Sequence, residues 1–387
     1  MLFACHFAPH VVGLWAICSI HLDSRAALVV LFAAGLLTVV AQFATCVVAP
    51  RPAIARLELP TVSFVHVASF VPVYLVLLFV SVRGAGTIFS TPEIGLFERA
   101  LALGFCGTVP AVAAAHELIH SRSVLCRLSG LALAGLAHVP YFPYTHVHLH
   151  HRQVATPVDA DSARPGETIF AFFGRSLAVN LSAAVVSSIT VFRMLGARRA
   201  LAGAERGMGA ASVILSALFT VAGYLSVAVI NATEGLTVLA IQGLIGFSAL
   251  TAVNYIQHYG LMRSTDCSGR TCPIAAQHSW NANDALSNCL YFDLFKHSHH
   301  HVPSATHLNS TASSAPHLPL GAVGAMWLIF IPPLWFRMMG PNLARLEDFR
   351  QQQPADAWRA AYLSPCLRSL KFSAIVWSTG DNQELAP

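Results

Sequence analysis

Residues 100–120 read ALALGFCGTVPAVAAAHELIH and indicate what kind of protein the chain forms. Residues 100–115 carry no charged side chain, and the stretch ends in two histidines, His116 and His120, four positions apart. A helix needs about 20 apolar residues to cross the hydrocarbon of a bilayer. The stretch therefore predicts a transmembrane helix, at about 95–115, that places a pair of histidines at one membrane surface.

The composition of the whole chain also points to a membrane protein. Of its 387 residues, 55% are apolar and only 11% are charged, whereas soluble domains average about 25% charged residues. The mean hydropathy is +0.59. Because so few charges cannot cover the surface of a soluble protein of this size, the composition disfavours a soluble globule, a disordered chain and a nucleic-acid-binding domain.

The apolar stretches predict how often the chain crosses the membrane. The first stretch contains His6 and His10 but lacks the basic start and the cleavage site of a signal peptide, so we interpret it as a retained helix. Two ambiguous stretches, 176–196 and 318–338, contain polar residues or prolines and are interpreted as interfacial or buried helices. We expect six transmembrane helices, at about 4–21, 27–49, 62–82, 95–115, 208–230 and 235–255.

The basic residues predict the orientation of these helices. With six crossings, one side of the membrane holds only Arg25, Arg83 and Arg99 out of 23 lysines and arginines. Positive residues concentrate on the cytoplasmic side, so both long loops and the C-terminus are expected in the cytoplasm. The sequence thus predicts a single integral-membrane domain over residues 1–345, followed by a polar extension over residues 346–387.

The number of histidines is the first indication of function. The chain has 19 histidines against 18 acidic residues, and most histidines fall in or near the expected cytoplasmic segments. A lone histidine, His258, follows the last predicted span. The other histidines of interest form three dense groups: His116 with His120; His146, His148, His150 and His151; and His297, His299, His300 and His301.

The spacing within these groups suits metal binding. Histidines four residues apart lie on one helix face, so His116 and His120 can bind the same ion. Neighbouring histidines such as His150 and His151 diverge by about 100° around a helix and can serve different ions. A zinc site takes three or four ligands, so this many histidines indicate two metals. Iron is favoured because, unlike zinc, it can activate O2.

Other interpretations of the histidines stay open at this point. His116, Glu117 and His120 match the H-E-x-x-H pattern of zinc proteases, in which the glutamate is the general base. Histidine-rich proteins can also bind metals or sense pH without turnover, and a histidine at the end of a span is often an interfacial hydrogen-bonding group. The protease interpretation leaves most of the clustered histidines without a role.

Four short motifs carry a resemblance to a known family. They are NYIQHYGL at 254–261, HSWNAN at 278–283, VATPVD at 154–159 and PPLW at 332–335. With the histidine groups and their order along the chain, they resemble the integral-membrane di-iron superfamily of fatty acid desaturases and hydroxylases. Within that superfamily the motifs are similar to those of the AlkB-type alkane 1-monooxygenases.

The resemblance implies a fold and a set of metal ligands. The implied fold is all-α and polytopic, with about six transmembrane helices and a cytosolic, histidine-rich cap that holds two non-haem irons. Carried over position by position, the iron ligands are His116, His120, His146, His150, His151, His258, His297, His300 and His301. Residues expected beside these ligands are Asp159, Gln257, Asn254, His278, His148 and His299, with a structural hydrogen bond as the expected role of His278.

The resemblance also implies a reaction and its partners. The family hydroxylates the terminal C–H bond of an alkane or a related lipophilic substrate. It uses O2 and two electrons from a rubredoxin or ferredoxin and its reductase. A multi-pass protein of the bacterial inner membrane is expected, with the histidine boxes in the cytoplasm and no nucleic-acid partner. Desaturation, decarboxylation and aryl-methyl hydroxylation are alternative outcomes within the superfamily.

Three positions depart from the family pattern. Thr145, Gln257 and His299 stand where the family usually has an acidic residue. Carboxylates beside metal ligands orient them and raise their basicity, so these changes are expected to alter the iron potential or the docking of the electron donor. We hypothesise that the chemistry is retained while the substrate or the outcome has changed. Nearby acids that can substitute are Asp159, Asp161, Asp284 and Asp293.

Overall fold

The structure is a computed structural model that describes residues 6–48, 63–84, 93–196, 204–263, 271–301 and 315–352. Within these ranges the chain is helical, and its β-type pairing is confined to an isolated bridge between Asn281 and His317. The all-α fold predicted from the sequence is therefore confirmed. Most of the predicted polar extension lies outside the described residues.

The first half of the described chain contains nine numbered helices. They are α1 (Ala8–His21), α2 (Arg25–Val48), α3 (Phe64–Ala68), α4 (Phe70–Arg83), α5 (Leu96–Ala102), α6 (Val109–Ile119), α7 (Val124–Leu136), α8 (Phe142–Tyr144) and α9 (His151–Gln153). Two π-helical segments interrupt this series. Leu103–Thr108 joins α5 to α6, and Thr145–His150 joins α8 to α9.

The second half of the described chain contains the longer helices and the short ones that follow them. They are α10 (Ile169–Gly196), α11 (Ala204–Asn231), α12 (Glu234–His258), α13 (Ala285–Leu290), α14 (Ser298–His301), α15 (Ala322–Leu328) and α16 (Pro332–Gln352). A short 3₁₀ turn, Ala276–His278, precedes α13. The stretch 318–338 thus divides into α15 and the start of α16, and neither segment of it is long enough to cross a bilayer.

Six described helical stretches are long and apolar enough to cross a membrane. They are Arg25–Ala44, Phe64–Arg83, Leu96–Ile119, Ile169–Ile189, Ala211–Asn231 and Glu234–His258. All but Ile169–Ile189 overlap a predicted span. The chain is therefore a polytopic helical membrane protein, as the sequence predicted.

The structure differs from the sequence prediction at two helices. The predicted first span is a helix of only 14 residues, α1, which is about 21 Å long and shorter than the hydrocarbon layer. The region 176–196, interpreted as interfacial, belongs to the 28-residue α10, which has the length and composition of a span. Its polar residue Asn180 had counted against a span, but the amide is buried and donates to Asp161 Oδ1 at 2.9 Å.

Contacts at the helix ends help to decide which of the two helices, α1 or α10, crosses the membrane. His10 of α1 lies 2.9 Å from the Ser69 hydroxyl at the start of α4, and Asp23 beyond α1 accepts from the backbone of Ile94, just before α5. α1 therefore extends from one end of the bundle to the other.

The two ends of α10, by contrast, lie on the same side of the bundle. Its start lies beside the end of α12, because the Tyr255 hydroxyl donates to the Glu167 carbonyl. Further along, Ile189 lines a cavity with Val213 of α11, whose far end, Asn231, bonds the Val82 carbonyl at the opposite end of the bundle. These contacts favour the original assignment of α1 as a crossing helix and α10 as interfacial, which stays a prediction.

The run from α5 through α6 is the central helix of the bundle. It covers Leu96–Ile119, and 89% of its most apolar window is buried, compared with 6% for the window in α2, which faces outward. Small residues let other segments approach it closely, as at Gly246 of α12, where an added Cβ would lie 2.8 Å from a methyl of Thr108. This central helix carries His116 and His120 at its end.

A helix that ends inside the bundle brings the chain back towards those histidines. The last carbonyls of α7 have side-chain partners, because Thr220 donates to the Gly135 carbonyl at 2.7 Å and Gln242 donates to the Leu136 carbonyl at 2.8 Å. His138, at a φ of 64°, lies 3.0 Å from the Gln242 amide and 2.8 Å from the Tyr224 hydroxyl. Backbone groups in a membrane interior need such partners, which the hydropathy pattern did not reveal.

Candidate metal centre

Four separate segments bring their histidines together at one end of the bundle. His116 lies near the end of α6, and its ring centroid is 4.5 Å from that of His146 and 4.3 Å from that of His300. His258, at the end of α12, lies 4.7 Å from His150, again between ring centroids. Histidines from all three dense groups and the lone histidine recognised in the sequence therefore form one cluster in space.

The cluster divides into two sets of imidazoles. In each set, one ring nitrogen from each of four histidines lies within 4.8 Å of the others. His151 adjoins the first set, since its Nε2 lies 3.1 Å from the Nε2 atoms of both His146 and His300. We define the first group as His116, His120, His146, His151 and His300, and the second group as His150, His258, His297 and His301.

Local helix geometry explains why neighbouring histidines join different groups. His297 and His301 lie one turn apart at α14 and belong to the second group, with their Nε2 atoms 2.8 Å apart. His300 lies about 100° further back around the helix and joins the first group. In the same way, His150 and His151 diverge at the end of the π-helical segment Thr145–His150. This divergence is what the adjacent pairs in the sequence predicted.

The nitrogen positions in the first group fit a shared cation better than hydrogen bonds. The Nε2 atoms of His146, His151 and His300 lie 3.1, 3.1 and 3.2 Å apart in a triangle. A neutral ring nitrogen is either a donor or an acceptor, so three mutual contacts cannot all pair a donor with an acceptor. Imidazole binds metals at about 2.0–2.1 Å, so nitrogens at right angles around one ion would lie about 3.0 Å apart.

Two buried nitrogens strengthen this fit. The Nε2 atoms of His116 and His120 have no hydrogen-bond partner among the described residues. Buried polar atoms are nearly always paired, and a metal ion between these side chains would use both lone pairs. The donor set of the first group is thus chemically suited to a metal.

Burial keeps most of these histidines in the form that binds metals. Desolvation, followed by the charge of neighbouring histidines, lowers the pKa of His120 to about 3 and that of His151 to about 2. The same causes hold the pKa of His146, His300 and His301 well below the usual value. Neutral imidazole is the ligand form, because only it has a free lone pair towards the ion.

His150 is the exception, and its partner explains why. Burial alone lowers its pKa, but the ion pair and hydrogen bond with Asp159 outweigh burial and raise it. The His150 Nδ1 lies 2.9 Å from Asp159 Oδ2, and the Ser162 hydroxyl donates to the same carboxylate oxygen at 2.6 Å. A carboxylate on Nδ1 fixes the ring orientation and leaves Nε2 for a metal.

Other ligand candidates are oriented by different partners. His258 Nδ1 donates to the His278 carbonyl at 3.2 Å, and the His278 ring accepts from the Ala275 backbone at 2.9 Å. His116 Nδ1 lies 3.0 Å from Glu117 Oε1. Glu117 was considered in the sequence only as a protease base, although its place next to His116 could have indicated this contact.

The remaining acids and Gln257 have other partners. Asp161 accepts from Ser176 and Asn180, Asp284 caps α13, and Asp293 pairs with Lys296 at 2.9 Å. Among the four acids named as substitutes, Asp159 is thus the one with a hydrogen bond to a histidine of the two groups. The buried Gln257 amide donates to the Leu294 carbonyl at 3.0 Å.

The other residues expected near the metals lie at the edge of the cluster. His148 packs on Tyr144, with ring centroids 5.4 Å apart, and is not part of either group. Asn254 is buried on α12, about one turn before His258. The buried Thr145 hydroxyl donates to the Phe142 carbonyl within its own turn. The side chain of His299 lies outside the described residues.

Comparisons with known proteins agree with the site. Residues 95–311 match the family model for fatty acid desaturases. The chain belongs to the fatty acid desaturase family. It is also 30% identical to an alkane 1-monooxygenase of Pseudomonas putida over 323 residues, which cover 81% of this chain and 77% of that protein.

Two further relatives extend the comparison. An alkane 1-monooxygenase of Alcanivorax borkumensis is 32% identical over 65% of this chain and 61% of its own length. The xylene/toluene monooxygenase hydroxylase component XylM of Pseudomonas putida is 28% identical over 66% of each chain. The resemblance inferred from the motifs is confirmed: this is an AlkB-type membrane oxidoreductase of the monooxygenase kind, with an iron centre.

Proposed function

We propose that this protein inserts one oxygen atom into a terminal C–H bond of an alkane or a similar alkyl chain. The balanced reaction combines the substrate, O2, two electrons and two protons to give an alcohol and water. The observation that carries the proposal is the pair of imidazole groups at the end of the central helix. The similarity to alkane 1-monooxygenases over most of the chain supports the choice of substrate.

The proposed cofactor is a pair of non-haem irons, one in each imidazole group. The first group would offer up to five nitrogens and the second group four, so the nine histidines inferred from the family pattern are the proposed ligands. Iron bound in this way would supply the activation of O2 by two electrons, which no protein side chain can perform. The chain itself orients the imidazoles and excludes water from them.

The electron donor is proposed to be an acidic one-electron carrier such as a rubredoxin or ferredoxin, served by its reductase. Arg122, Arg127 and Arg152 are exposed on the histidine side of the bundle, and no described carboxylate pairs with them. The carboxylates on that side are engaged, for example Glu167 with Arg175 at 2.8 Å. This imbalance favours an acidic partner at the surface next to His151.

The proposed location is the inner membrane of a bacterium, with both histidine groups facing the cytoplasm. The excess of basic residues on the histidine side supports this orientation. We further propose that residues 1–345 form a single integral-membrane domain. Residues 346–387 are proposed to be an extension of it.

A second candidate reaction is the hydroxylation of a methyl group on an aromatic ring. The similarity to XylM supports it, because XylM is a component of a xylene/toluene monooxygenase. The same metal groups would serve both reactions. The two candidates differ only in the shape of the substrate.

Product analysis under ¹⁸O₂ tests the proposal. Membranes containing the full chain, a rubredoxin and its reductase receive medium-chain alkanes, fatty acids and methyl-arenes together. A labelled 1-alkanol that is absent with the His116→Ala variant is the expected result. A labelled benzylic alcohol would establish the second candidate instead, and an unlabelled unsaturated acid would reassign the protein to the desaturases.

A further inference from the structure

A cavity of about 260 Å³ opens on the flank of the bundle, and none of the clustered histidines lines it. Two long helices, α10 and α11, form its sides. The turn at residues 140–141, which precedes His146, forms its inner end. Lining residues include Pro140, Tyr141, Leu181, Val185, Ile189 and Val213. Nothing in the iron site described above accounts for it.

The chemistry of the lining suits a hydrocarbon. None of the described residues that line the cavity is charged. Its one aliphatic hydroxyl, on Ser188, donates back to the Ala184 carbonyl of the same helix at 2.8 Å. The ligand that matches such a surface is an apolar chain, since each buried methylene contributes about 0.8 kcal/mol.

The cavity lies where bilayer lipids would reach it. Its outer rim on α10 is apolar and exposed, with Leu181 45%, Val185 57% and Ile189 44% exposed. An interfacial helix buries its apolar face at the boundary between the headgroups and the acyl chains, so this rim would reach the edge of the hydrocarbon layer. An alkyl substrate dissolved in the bilayer therefore meets the cavity without passing through water.

The inner end of the cavity lies close to the imidazoles. Tyr141 is a lining residue, and the next residue, Phe142, has its ring centroid 6.1 Å from that of His116 and 4.9 Å from that of His146. Tyr141 and Phe142 are both buried. The chain thus passes directly from a residue of the cavity lining, Tyr141, to one that packs against the first group, Phe142.

We propose that this cavity is the port through which the alkyl substrate leaves the bilayer for the metal centre. Tyr141 lines its inner end, and Phe142 follows Tyr141 towards the first group. A cavity of this volume encloses part of an alkyl chain, and a longer chain would extend beyond it. The inference rests on the proposed function, because it takes the substrate to be an alkyl chain.

Two neighbouring valines provide a matched test. Val185 lines the cavity, whereas Val186 is 64% exposed and outside it. We expect Val185→Trp to lower kcat/KM for dodecane by about tenfold or more, chiefly through KM, and Val186→Trp to change it by less than about twofold. Both variants should keep the iron content of the unaltered protein, because neither residue touches a histidine of the two groups.

The outcomes of this experiment distinguish a failure of the proposed port from a failure of the proposed reaction. If the unaltered protein forms no alcohol from dodecane, the proposed function fails. If it forms the alcohol and Val185→Trp behaves like Val186→Trp, the port is wrong while the function stands. Ala184→Phe replaces Val185→Trp in the same comparison if the tryptophan variant does not accumulate in the membrane.

Photolabelling of the unaltered protein gives a second, independent result. A dodecane analogue that carries a diazirine should label peptides containing residues 181–189 or 140–141, and excess dodecane should suppress the labelling. Labelling confined to other helices would overturn the port. Labelling that phospholipid suppresses and dodecane does not would assign the cavity to a membrane lipid and would also overturn it.

Discussion

The two imidazole groups of the site differ in size and in what holds them. The first group has five histidines, and its carboxylate contact is with Glu117, whose side chain is 28% exposed. The second group has four histidines, and its partners are the buried Asp159 and the backbone carbonyl of His278. We therefore expect the second group to be the more rigid of the two, whereas the first group has one histidine more than the second.

This difference suggests unequal roles for the two proposed irons. Hydrogen bonds to a ligand histidine fix its orientation, and buried hydrogen bonds do so more strongly than exposed ones. The second group would hold its iron in a fixed environment. The first group, which includes His151 and adjoins the exposed Arg152, would be the one nearer to the proposed electron donor.

The largest expected effect comes from removing one ligand from each group. His301→Ala leaves three histidines in the second group and should lose about one iron per chain together with all product formation. His151→Ala leaves four in the first group and should keep most of its iron with reduced activity. Iron analysis and product assays on membranes measure both.

His148→Ala is the matched control for these variants, because His148 lies in the same sequence group but outside both imidazole groups. It should behave like the unaltered protein. Equal iron loss from His301→Ala and His151→Ala would show that the two groups are not organised differently.

The next largest effect concerns the two carboxylates. Asp159→Asn removes the charge that orients His150, and we expect a loss of about 10- to 100-fold in iron affinity or activity. Glu117→Gln should cost less than about tenfold, because a partly exposed carboxylate contributes less than a buried one. Iron retention during titration with a chelator compares them. A larger loss from Glu117→Gln would reverse the assignment of the rigid group.

A smaller effect is expected from Ser162, which donates a hydrogen bond to Asp159. Ser162 donates to Asp159 Oδ2 at 2.6 Å and accepts from the Ala155 backbone at 2.8 Å. Loss of a hydrogen bond to a charged group costs about 1.5–3 kcal/mol. Ser162→Ala should therefore weaken iron retention in the same direction as Asp159→Asn but by less, in the same chelator titration. An unchanged titration would mean that Asp159 is held without this hydroxyl.

The smallest expected effect is at Gln257, where the family usually has an acid. Its amide donates to the Leu294 carbonyl, and Gln257→Glu would place a carboxylate oxygen against that carbonyl. We expect the variant to lose about 1–3 kcal/mol of stability with little change in iron content. Thermal unfolding in detergent and iron analysis measure the two quantities. If Gln257→Glu instead gained activity without losing stability, the amide of Gln257 would be what limits the rate of the reaction.

The sequence predicted the helical fold because it depends on local periodicity, and it predicted the convergence of the histidines because they lie at span ends and match the family's motifs. Apolar runs locate helices, and offsets of four residues locate ligands on one face. The adjacent pair His300 and His301 was expected to serve two ions, and the structure places these side chains in different groups. The motif around His258 linked this lone histidine to the others.

Other features depend on contacts between distant segments and could not be predicted from sequence. Asn180 argued against a long apolar helix because its partner, Asp161, was unknown. The pairing of Gln242 with the end of α7 joins residues 106 positions apart. Asp159 was expected beside the ligands, but its partner was not predicted, and only the fold placed it on His150.

The metal content of the purified protein decides whether the two imidazole groups each hold an iron. We expect about two irons per chain, with Mössbauer spectra that resolve two unequal sites, because one group has five histidines and the other has four. One iron per chain, two equivalent sites, or zinc in place of iron would contradict this expectation.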